Sequence, residues 1–471
     1  MSRRASSSSP PSSPRPLKKQ KMDTHLTSES FRNGVMLAPM VRSGALPTRL
    51  YALKHGAKLV WTPEIVDKAI LHAERSVDPN TGIISYNGVT KAIFTTHPVE
   101  KPYLIYQIGS ADPELAVKAA KTVQQDISGV DLNCGCPKPF STHAGMGAAL
   151  LSTPDLLCSI LKALREAMPP EITVSAKIRL LPTQEETLKL VERIVNTGIS
   201  TLTVHCRTRN MRPRERALID RMREIVEFVE GMGKDVAVIE NGDCVDRADA
   251  IRIRNITGAH SCMIATAAES NPTCFSPEPL SDLIKTFVPN YVRLGRYLDN
   301  HFSNTRFCAV TFKGANKELT KSERHKLHDK LSRAKSYDDL DEFVGGVWNG
   351  EEEMAEIKRI IESREENDPR YSLEPPPPKE VQEQLENELF EALPPGNTET
   401  ETVTENQEEE SETSTSTPTL TSTTTPPDRE NPEPVTQNAP LLPVNDRLEL
   451  LSGLDTPTPA PTTQSKVLSN K

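Results

Sequence analysis

Eight short apolar runs recur along the chain from Asn33 onward, and several are followed by a polar or glycine-containing turn and a segment with helical periodicity. Near-continuous apolar strands that alternate with helices are typical of parallel strands buried on both faces. Eight such units in roughly 245 residues match the size of a (β/α)8 TIM barrel, an α/β fold. A doubly wound open sheet is the alternative, but eight regular units favour a closed barrel. The predicted strands are 35–40, 58–66, 103–109, 130–137, 173–180, 201–208, 236–243 and 260–268.

Helical periodicity predicts helices over 113–126, 154–167, 184–196 and 217–230, between the predicted strands. Residues 77–98 are too many for a simple connection and contain the sequence GIISYNG, which indicates a small β excursion. Beyond the last strand the composition is helical, and we read it either as a separate helical domain or as extra helices packed on the barrel. The predicted helices of this region are 280–288, 292–309, 321–335 and 337–361.

The two ends of the chain differ from its middle in composition. The first residues are rich in Ser, Pro and basic side chains, and the sequence after about Ser372 is low in complexity and acidic. Few apolar residues combined with high charge cannot form a packed core. We therefore predict a disordered basic tail (1–30), a TIM barrel (31–277), a helical domain (278–365) and a disordered acidic tail (366–471).

The net charge of −9 hides an uneven distribution, with +4 in residues 1–30, +5 in 31–350 and −18 in 351–471. A mildly basic folded region permits nucleic-acid binding without requiring it. The eight cysteines form no CxxC pair or Cys/His quartet, so we expect no metal site. No apolar run is long enough to span a membrane, and no secretory segment is evident.

The basic N-terminal segment bears on localisation. Lys18, Lys19 and Lys21 form a cluster of the kind that directs proteins to the nucleus. The early lack of acidic residues also fits a mitochondrial presequence, but several prolines oppose an amphipathic helix. We expect a cytoplasmic or nuclear protein, or both.

Catalytic groups of a parallel barrel lie at the carboxyl ends of its strands. The predicted strand ends supply amide, Lys, Arg and His groups but no carboxylate pair, which argues against a glycosidase. The set suits a planar polar cofactor that carries a phosphate. Its members are Ala38, Pro39, Met40, Gln107, Asn133, Cys136, Lys177, Arg179, His205, Arg207, Asn241, Gly242, Asp243, Ala265 and Thr266.

Two motifs, DLNCGCP (131–137) and GMGAAL (145–150), resemble the signature of the dihydrouridine synthase family. The resemblance extends over roughly residues 34–310, because further family motifs occur in family order. Within the family, GCPKPFS with GMGAALL is closest to the eukaryotic enzymes that act on position 20 of tRNA, and DNHFSNTR (299–306) resembles the same subgroup. Nothing after Glu365 resembles the double-stranded-RNA-binding domain of animal members, as in fungal-type members. The further motifs are LAPMV (37–41), YQIG (106–109), KIR (177–179), VHCRTR (204–209), NGD (241–243) and MIATAA (263–268).

The resemblance implies FMN at the barrel mouth and tRNA as the substrate. The backbone of residues 38–40 and the amide of Gln107 would contact the flavin ring. Lys177 would lie at the ring edge that becomes anionic on reduction, where a cation favours the reduced form. His205 would donate a hydrogen bond to the ring or to the phosphate. The family precedent implies NADPH as reductant, although NADH stays open because no dinucleotide fingerprint is present.

The phosphate of the cofactor is expected at Asn241, Gly242, Asp243, Ala265 and Thr266, where backbone N–H groups would be the donors. Thr266 stands where the family usually has Arg. Any phosphate contact from that side chain would then be lost, although a backbone contact could survive.

Cys136 is the expected proton donor. Reduction of the uracil 5,6 double bond needs hydride at C6, which the C4 carbonyl makes electrophilic, and then a proton at C5. A thiol with a pKa of roughly 8.5 is mostly protonated at neutral pH and can act as the acid. We expect Cys134, Cys206 and Cys244 to be structural, since most cysteines are small buried residues.

Base chemistry requires the uridine to leave its stack, and phosphate contacts then supply much of the affinity. Candidate substrate contacts are Asn133, Arg179, Arg207, Arg209, Asn304 and Arg306. Two rival hypotheses remain: an FMN barrel oxidoreductase with a small-molecule substrate, and an RNA-binding protein that has lost the redox reaction. We also expect the acidic tail to compete with RNA for the basic face. The sequence does not indicate the oligomeric state.

Overall fold

The computed structural model of the chain describes residues 25–212, 214–313, 319–365, 368–378, 380–382 and 384. Parallel strands close into a barrel, because the strand after the first loop pairs with both the first and the third barrel strand. The predicted (β/α)8 architecture is thereby confirmed. The strands are β1 (Val35–Leu37), β2 (Val60–Trp61), β3 (Ile65–Val66), β4 (Glu74–Val77), β5 (Ile84–Asn87), β6 (Ala92–Thr96), β7 (Leu104–Gly109), β8 (Gly129–Cys134), β9 (Thr173–Leu180), β10 (Thr201–Thr208), β11 (Ala237–Asn241) and β12 (Ser261–Ile264).

The barrel order is β2-β1-β12-β11-β10-β9-β8-β7, closed by pairing of β2 with β7, while β3 pairs with β7 further along. The helices lie outside the barrel strands or follow them in the chain. They are α1 (Leu46–Lys54), α2 (Asp67–Ile70), α3 (Pro113–Val123), α4 (Pro139–Thr142), α5 (Pro154–Ala167), α6 (Gln184–Val195), α7 (Met222–Gly231), α8 (Arg247–Thr257), α9 (Thr266–Ser270), α10 (Val288–Tyr297), α11 (Phe302–Thr311), α12 (Lys321–Arg333) and α13 (Gly350–Glu362).

Strand bounds follow burial on both faces and are cut short by proline. β9 and β10 have the bounds that the apolar pattern predicts. The predicted strand 58–66 is instead divided into β2 and β3, with Pro63 between them. Proline has no N–H to donate to a ladder, so it interrupts a central strand. Pro39 and Pro137 likewise lie beyond the observed ends of β1 and β8.

The β excursion is a three-stranded antiparallel sheet of β4, β5 and β6, as predicted. Tyr86 of β5 is fully buried and donates a hydrogen bond from its hydroxyl to Asp126 Oδ2 at 2.5 Å. Arg75 of β4 donates to the same carboxylate at 2.7 Å. One buried acid therefore ties the excursion to the chain that enters β8.

The helical region has breaks that helical composition alone does not predict. The predicted helix 292–309 is two helices, α10 and α11, separated where Asp299 adopts a φ of 46°. In the predicted helix 337–361, only the part from Gly350 onward is α-helical, as α13. The preceding residues include Gly345 and Gly346, whose φ values of 69° and 68° do not allow an α-helix. A residue in the left-handed conformation ends a right-handed helix, because the backbone cannot continue the turn through it. Glycine adopts this conformation most readily, since it has no Cβ.

Aromatic side chains join the helical region to α1. The ring centroids of Tyr51 and Phe287 are 4.6 Å apart, and those of Tyr291 and Phe312 are 4.9 Å apart. Lys54 Nζ also lies 2.7 Å from Glu353 Oε1 of α13. Large buried aromatic pairs of this kind contribute to stability beyond their buried area. The helical region therefore packs directly on a barrel helix.

Both tail boundaries differ from the prediction. A short 3-10 turn, Ser28–Phe31, precedes β1 and its Ser28 is buried. Residues 368–378, predicted to be disordered, pack against the barrel: Arg247 donates to three backbone carbonyls of this segment, and Leu373 N–H donates to Asn33 O at 2.8 Å. The remaining tail predictions, the cluster at 18–21 and the acidic stretch beyond 384 included, lie outside the described residues.

Across the described ranges, no helix is both long and apolar enough to cross a lipid bilayer.

Candidate active site

The loop that carries Cys136 is shaped by Asn133, the next-to-last residue of β8. Asn133 Oδ1 accepts hydrogen bonds from the backbone N–H groups of Gly135 at 2.9 Å and Cys136 at 3.1 Å. This is the turn that short amide side chains make with the backbone two and three residues on. Sequence reasoning assigned Asn133 to the substrate, and the structure places its side-chain oxygen on the Cys136 loop.

The segment GMGAAL (145–150) packs against the segment DLNCGCP (131–137). Ala148 N–H donates to the carbonyl oxygen of Cys136 at 2.9 Å. Gly147, with a φ of 59°, lies so close that a Cβ would be 2.4 Å from Ser141 Oγ and 2.6 Å from Cys136 O. Only glycine fits a left-handed position with such contacts. The two motifs therefore form one packed unit that holds Cys136.

Glu64, which sequence reasoning missed, lies beside this unit. It follows β2 at the same end of the barrel, and its Oε1 accepts a hydrogen bond from Ser141 Oγ at 3.0 Å. A Cβ on Gly109 would be 2.6 Å from Glu64 Oε1, so the glycine of the YQIG motif leaves room for this carboxylate. The available signal was position, because Glu64 lies near the carboxyl end of the predicted strand 58–66, where other strands supply polar groups.

The environment of Cys136 keeps it a thiol. Burial raises its pKa above the usual 9.0, and the charge of Glu64 raises the pKa further. The other seven cysteines are buried, whereas Cys136 is partly exposed. At neutral pH the thiol is therefore protonated and accessible, as a proton donor must be.

The barrel interior below this loop contains a hydrogen-bonded acid, Asp131. Gln107 Nε2 donates to Asp131 Oδ2 at 2.8 Å, and Ser175 Oγ donates to Asp131 Oδ1 at 2.6 Å. Burial raises the pKa of Asp131 to about 6. The expected flavin contact, Gln107, is 2% exposed, and Asp131 fixes the orientation of its amide.

Positive charge is concentrated on one side of the mouth. Burial and the neighbouring Arg179 lower the pKa of Lys177 to about 8. Burial lowers the pKa of His205 to about 2, helped by Lys177, Arg179 and Arg207, so His205 is neutral at neutral pH. Because each positive charge makes protonation of its neighbours less favourable, an anionic group bound here would relieve the repulsion.

A cavity of about 500 Å³ adjoins these cations, within the range of ~300–1,000 Å³ common for ligand sites. It brings together all five residues predicted to hold the phosphate with two predicted for the substrate. Met40, Gln107 and Lys177 do not line it. The lining includes Arg179, His205, Arg207, Asn241, Gly242, Asp243, Ala265 and Thr266.

Arg207 belongs to this cavity and not to the exposed part of the loop after β10. It is 6% exposed, forms an ion pair with Asp243, and donates from Nε to Glu215 O at 2.7 Å. Asp243 in turn accepts from Ala217 N–H at 2.7 Å and has a φ of 60°. The pair thus orders the loops after β10 and β11 around the cavity. Arg209, two residues later, is exposed.

Arg179 connects the cavity to the Cys136 loop. Its Nε donates to Gly135 O at 2.8 Å and its Nη1 donates to Thr208 O at 3.1 Å. The guanidinium therefore fixes the carbonyl just before Cys136 while its charge remains beside the cavity. Arg179, predicted to contact the substrate, therefore also lines the cavity of the residues predicted to hold the phosphate.

The remaining predicted residues lie at the mouth or in the helical region. Ala38 N–H donates to Ile264 O at 3.0 Å, which places the segment with Pro39 and Met40 at the end of β1. Asn304 lines a second cavity of about 960 Å³, which Glu64 also lines. Arg306 Nη1 donates to Ala334 O at 2.7 Å and so connects α11 to the end of α12.

Among the residues that the structure describes, no group of three His, Cys, Asp or Glu side chains is placed to hold a metal ion.

Comparison with known proteins agrees with these motifs. The family model described as dihydrouridine synthase (Dus) matches residues 36–363. A Schizosaccharomyces pombe protein named tRNA-dihydrouridine(20) synthase (NAD(P)+) is 46% identical over 319 residues, which cover 66% of this chain and 64% of that protein. The Saccharomyces cerevisiae protein of the same name is 43% identical over 299 residues, covering 59% of this chain and 76% of that protein. This chain therefore spans slightly less than two thirds of the first relative.

A further Saccharomyces cerevisiae protein, named tRNA-dihydrouridine(20a/20b) synthase (NAD(P)+), is 31% identical over 238 residues, covering 50% of this chain and 60% of that protein. The family match extends over well more than half of the chain and includes the loop of Cys136, the cavity and the helical region. The chain belongs to the dihydrouridine synthase family.

Proposed function

We propose that this protein is a flavin-dependent tRNA-dihydrouridine synthase that reduces the C5–C6 double bond of a D-loop uridine, at position 20. The observation that carries the proposal is the partly exposed, protonated thiol of Cys136 at the barrel mouth. Two relatives whose printed names specify position 20 support the choice of reaction and of uridine.

The flavin is proposed to be FMN, with its phosphate in the 500 Å³ cavity. The residues present fit such a group, because Arg179 and Arg207 supply positive charge beside the cavity. Gly242 leaves its backbone accessible there, and a Cβ at this position would lie only 2.7 Å from the Cβ of Ala217. A bound phosphate would offset the repulsion that now lowers the pKa of Lys177 and His205. The proposed reductant is NADPH, in keeping with the NAD(P)+ in the relatives' names.

When bound, the reduced flavin supplies the hydride that adds to C6 of the uracil. Lys177 places a cation where negative charge develops in the mouth, and neutral His205 can donate a hydrogen bond there. Gln107, oriented by Asp131, offers an amide to the same region. Cys136 gives its proton to C5, and Asn133 and Gly147 hold the loop in place while it does so.

The proposed substrate is tRNA, because the rim of the mouth provides exposed basic and amide groups. Arg209 is exposed in the loop after β10, and Asn304 lines the larger cavity between the mouth and the helical region. Phosphate contacts of this type position an RNA without reading its sequence. The flipped uridine would then approach Cys136 from the open side of the mouth.

The test uses the purified full chain with FMN, NADPH and unmodified tRNA, and dihydrouridine is quantified by mass spectrometry. We expect product with the wild type and with Cys158→Ala, a buried cysteine of α5, and at least about a hundredfold less with Cys136→Ala. Oxidation of NADPH without product on tRNA would favour a small-molecule oxidoreductase. RNA binding without bound flavin would favour a protein that has lost the redox reaction.

A further inference from the structure

Glu64 is an unusual acid for its surroundings. Its Oε2 is buried and has no hydrogen-bond partner among the described residues, although its Oε1 is bonded to Ser141. Buried carboxylates are normally paired with a cation or fully hydrogen-bonded, so an unsatisfied oxygen calls for an explanation. The positive charge of Lys138 lowers the pKa of Glu64, but by less than the neighbouring hydrogen bonds do.

The surroundings of Glu64 are arranged around the Cys136 loop. Burial raises the pKa of Glu64, and interactions with Ser141, Cys136 and Asn133 oppose that rise. All three residues belong to the segment 133–141, which carries the thiol. The missing side chain of Gly109 leaves the space that the carboxylate occupies. Glu64 thus lies where it can exchange a proton with Cys136.

Glu64 also lines the 960 Å³ cavity between the mouth and residues 298–304, which is large enough to hold water. A carboxyl group with a raised pKa, in contact with both a thiol and a water-accessible cavity, has the two connections that a proton carrier needs. The charged groups that face the thiol are Glu64, Lys138 and Arg179, and those facing the carboxylate include Lys138.

We propose that Glu64 is a positioning residue that keeps Cys136 protonated before the reaction and returns a proton to it afterwards, an inference that rests on the proposed function. The S–H bond of Cys136 breaks as its proton moves to C5 of the uracil, leaving a thiolate. The negative charge of the thiolate favours protonation of the nearby Glu64 carboxylate, which takes a proton from hydronium in the cavity water. The carboxylic acid formed in this way gives that proton to the thiolate, which re-forms the S–H bond and restores the carboxylate, so one solvent proton is consumed per turnover.

The first test measures the thiol without the reaction. Cys136 is the cysteine that is not buried, so its alkylation by iodoacetamide can be followed by peptide mass spectrometry on the full chain. Glu64→Gln keeps the shape but removes the charge, so the thiol should ionise at lower pH and react faster at pH 8. The gain is about threefold per unit of pKa, since the larger thiolate fraction is partly offset by weaker nucleophilicity.

Glu74→Gln is the matched control, because Glu74 is an exposed acid on β4 and should leave the alkylation rate unchanged. Glu64→Asp retains the charge and should give an intermediate rate, which keeps the test valid if Glu64→Gln does not fold. An alkylation profile that is the same in wild type and in every Glu64 variant would overturn the proposal.

The second test is the pH dependence of dihydrouridine formation in single turnover and in steady state. Glu64→Gln should slow steady-state turnover about tenfold or more while affecting the first turnover less, because reprotonation follows the first product. Equal losses in both phases would show a structural role and overturn the relay. If the wild type forms no dihydrouridine but Glu64→Gln still accelerates alkylation, the proposed function fails while the coupling of the two groups stands.

Discussion

Gly147 lies against Cys136 so closely that a Cβ would stand 2.6 Å from the Cys136 carbonyl oxygen and 3.1 Å from its Cβ. The same glycine has a φ of 59°. Glycine is thus required at position 147 of the motif GMGAAL, since a side chain there would push the Cys136 loop away.

Gly147→Ala should lower the free energy of unfolding by about 1–3 kcal/mol, because it combines left-handed strain with a steric clash. Activity on tRNA should fall by more than the loss of folded protein explains, as the thiol is displaced. Urea unfolding and the mass-spectrometric assay measure the two effects. Gly231→Ala, at the end of α7 with open space around it, is the control and should be neutral or slightly stabilising.

Arg207 and Arg209 are two residues apart but have different surroundings. Arg207→Ala removes a buried charge from the cavity and leaves Asp243 without its ion pair, so flavin affinity should fall about tenfold or more. Arg209→Ala should leave flavin affinity unchanged, weaken tRNA binding and lower the salt dependence of binding by about one counterion. Flavin fluorescence titration and tRNA binding at several salt concentrations distinguish them. Equal effects of both variants on flavin would contradict the assignment.

Lys177 destabilises the flavin-free protein at neutral pH, because its pKa falls from 10.5 to about 8 on folding. Below pH 8 the lysine is charged in both states and burial of that charge is unfavourable. Between pH 8 and 10.5 the folded state loses the proton first, so stability rises with pH. Lys177→Met should therefore raise the free energy of unfolding by roughly 1–3 kcal/mol at pH 7, and by less at pH 9.5.

Urea unfolding of the flavin-free protein at the two pH values measures this difference. Lys189→Met replaces an exposed lysine of α6 and should cause a small change that is the same at both pH values. A Lys177→Met gain that grows with pH would have the wrong sign. The same variant should bind flavin more weakly, because the cation is missing from the mouth.

Tyr371 anchors the segment 368–378 on the barrel. Its ring lies 4.0 Å from the guanidinium carbon of Arg364, which is 4.2 Å from the ring of Tyr103 on the other side. Tyr371→Ala should lower the free energy of unfolding by about 3 kcal/mol. Tyr371→Phe should be neutral or stabilising, since the hydroxyl is buried with no hydrogen-bond partner among the described residues. Equal losses in both variants would show that the hydroxyl, not the ring, matters.

Local pattern was sufficient for much of the fold. The bounds of β9, β10 and α5 follow directly from apolar runs and helical periodicity, because a barrel strand is buried on both faces wherever it lies in the barrel. The break between α10 and α11 was not predicted, since Asp tolerates the left-handed conformation that Asp299 adopts but does not require it. Residues 368–378 have a polar, proline-rich composition and were misjudged because their partners are far away in the chain.

The sequence by itself determined the barrel, the family motifs and the residues that end most strands, because burial and hydrogen-bonding chemistry act on neighbouring residues. Only the tertiary structure decided which of those residues meet. Glu64 reaches Ser141 and the Cys136 loop, and Arg207 pairs with Asp243, because barrel closure sets the register between strands distant in sequence. The shifted pKa values of Cys136, Lys177 and His205 have the same origin, since burial and charge separation are properties of the closed mouth.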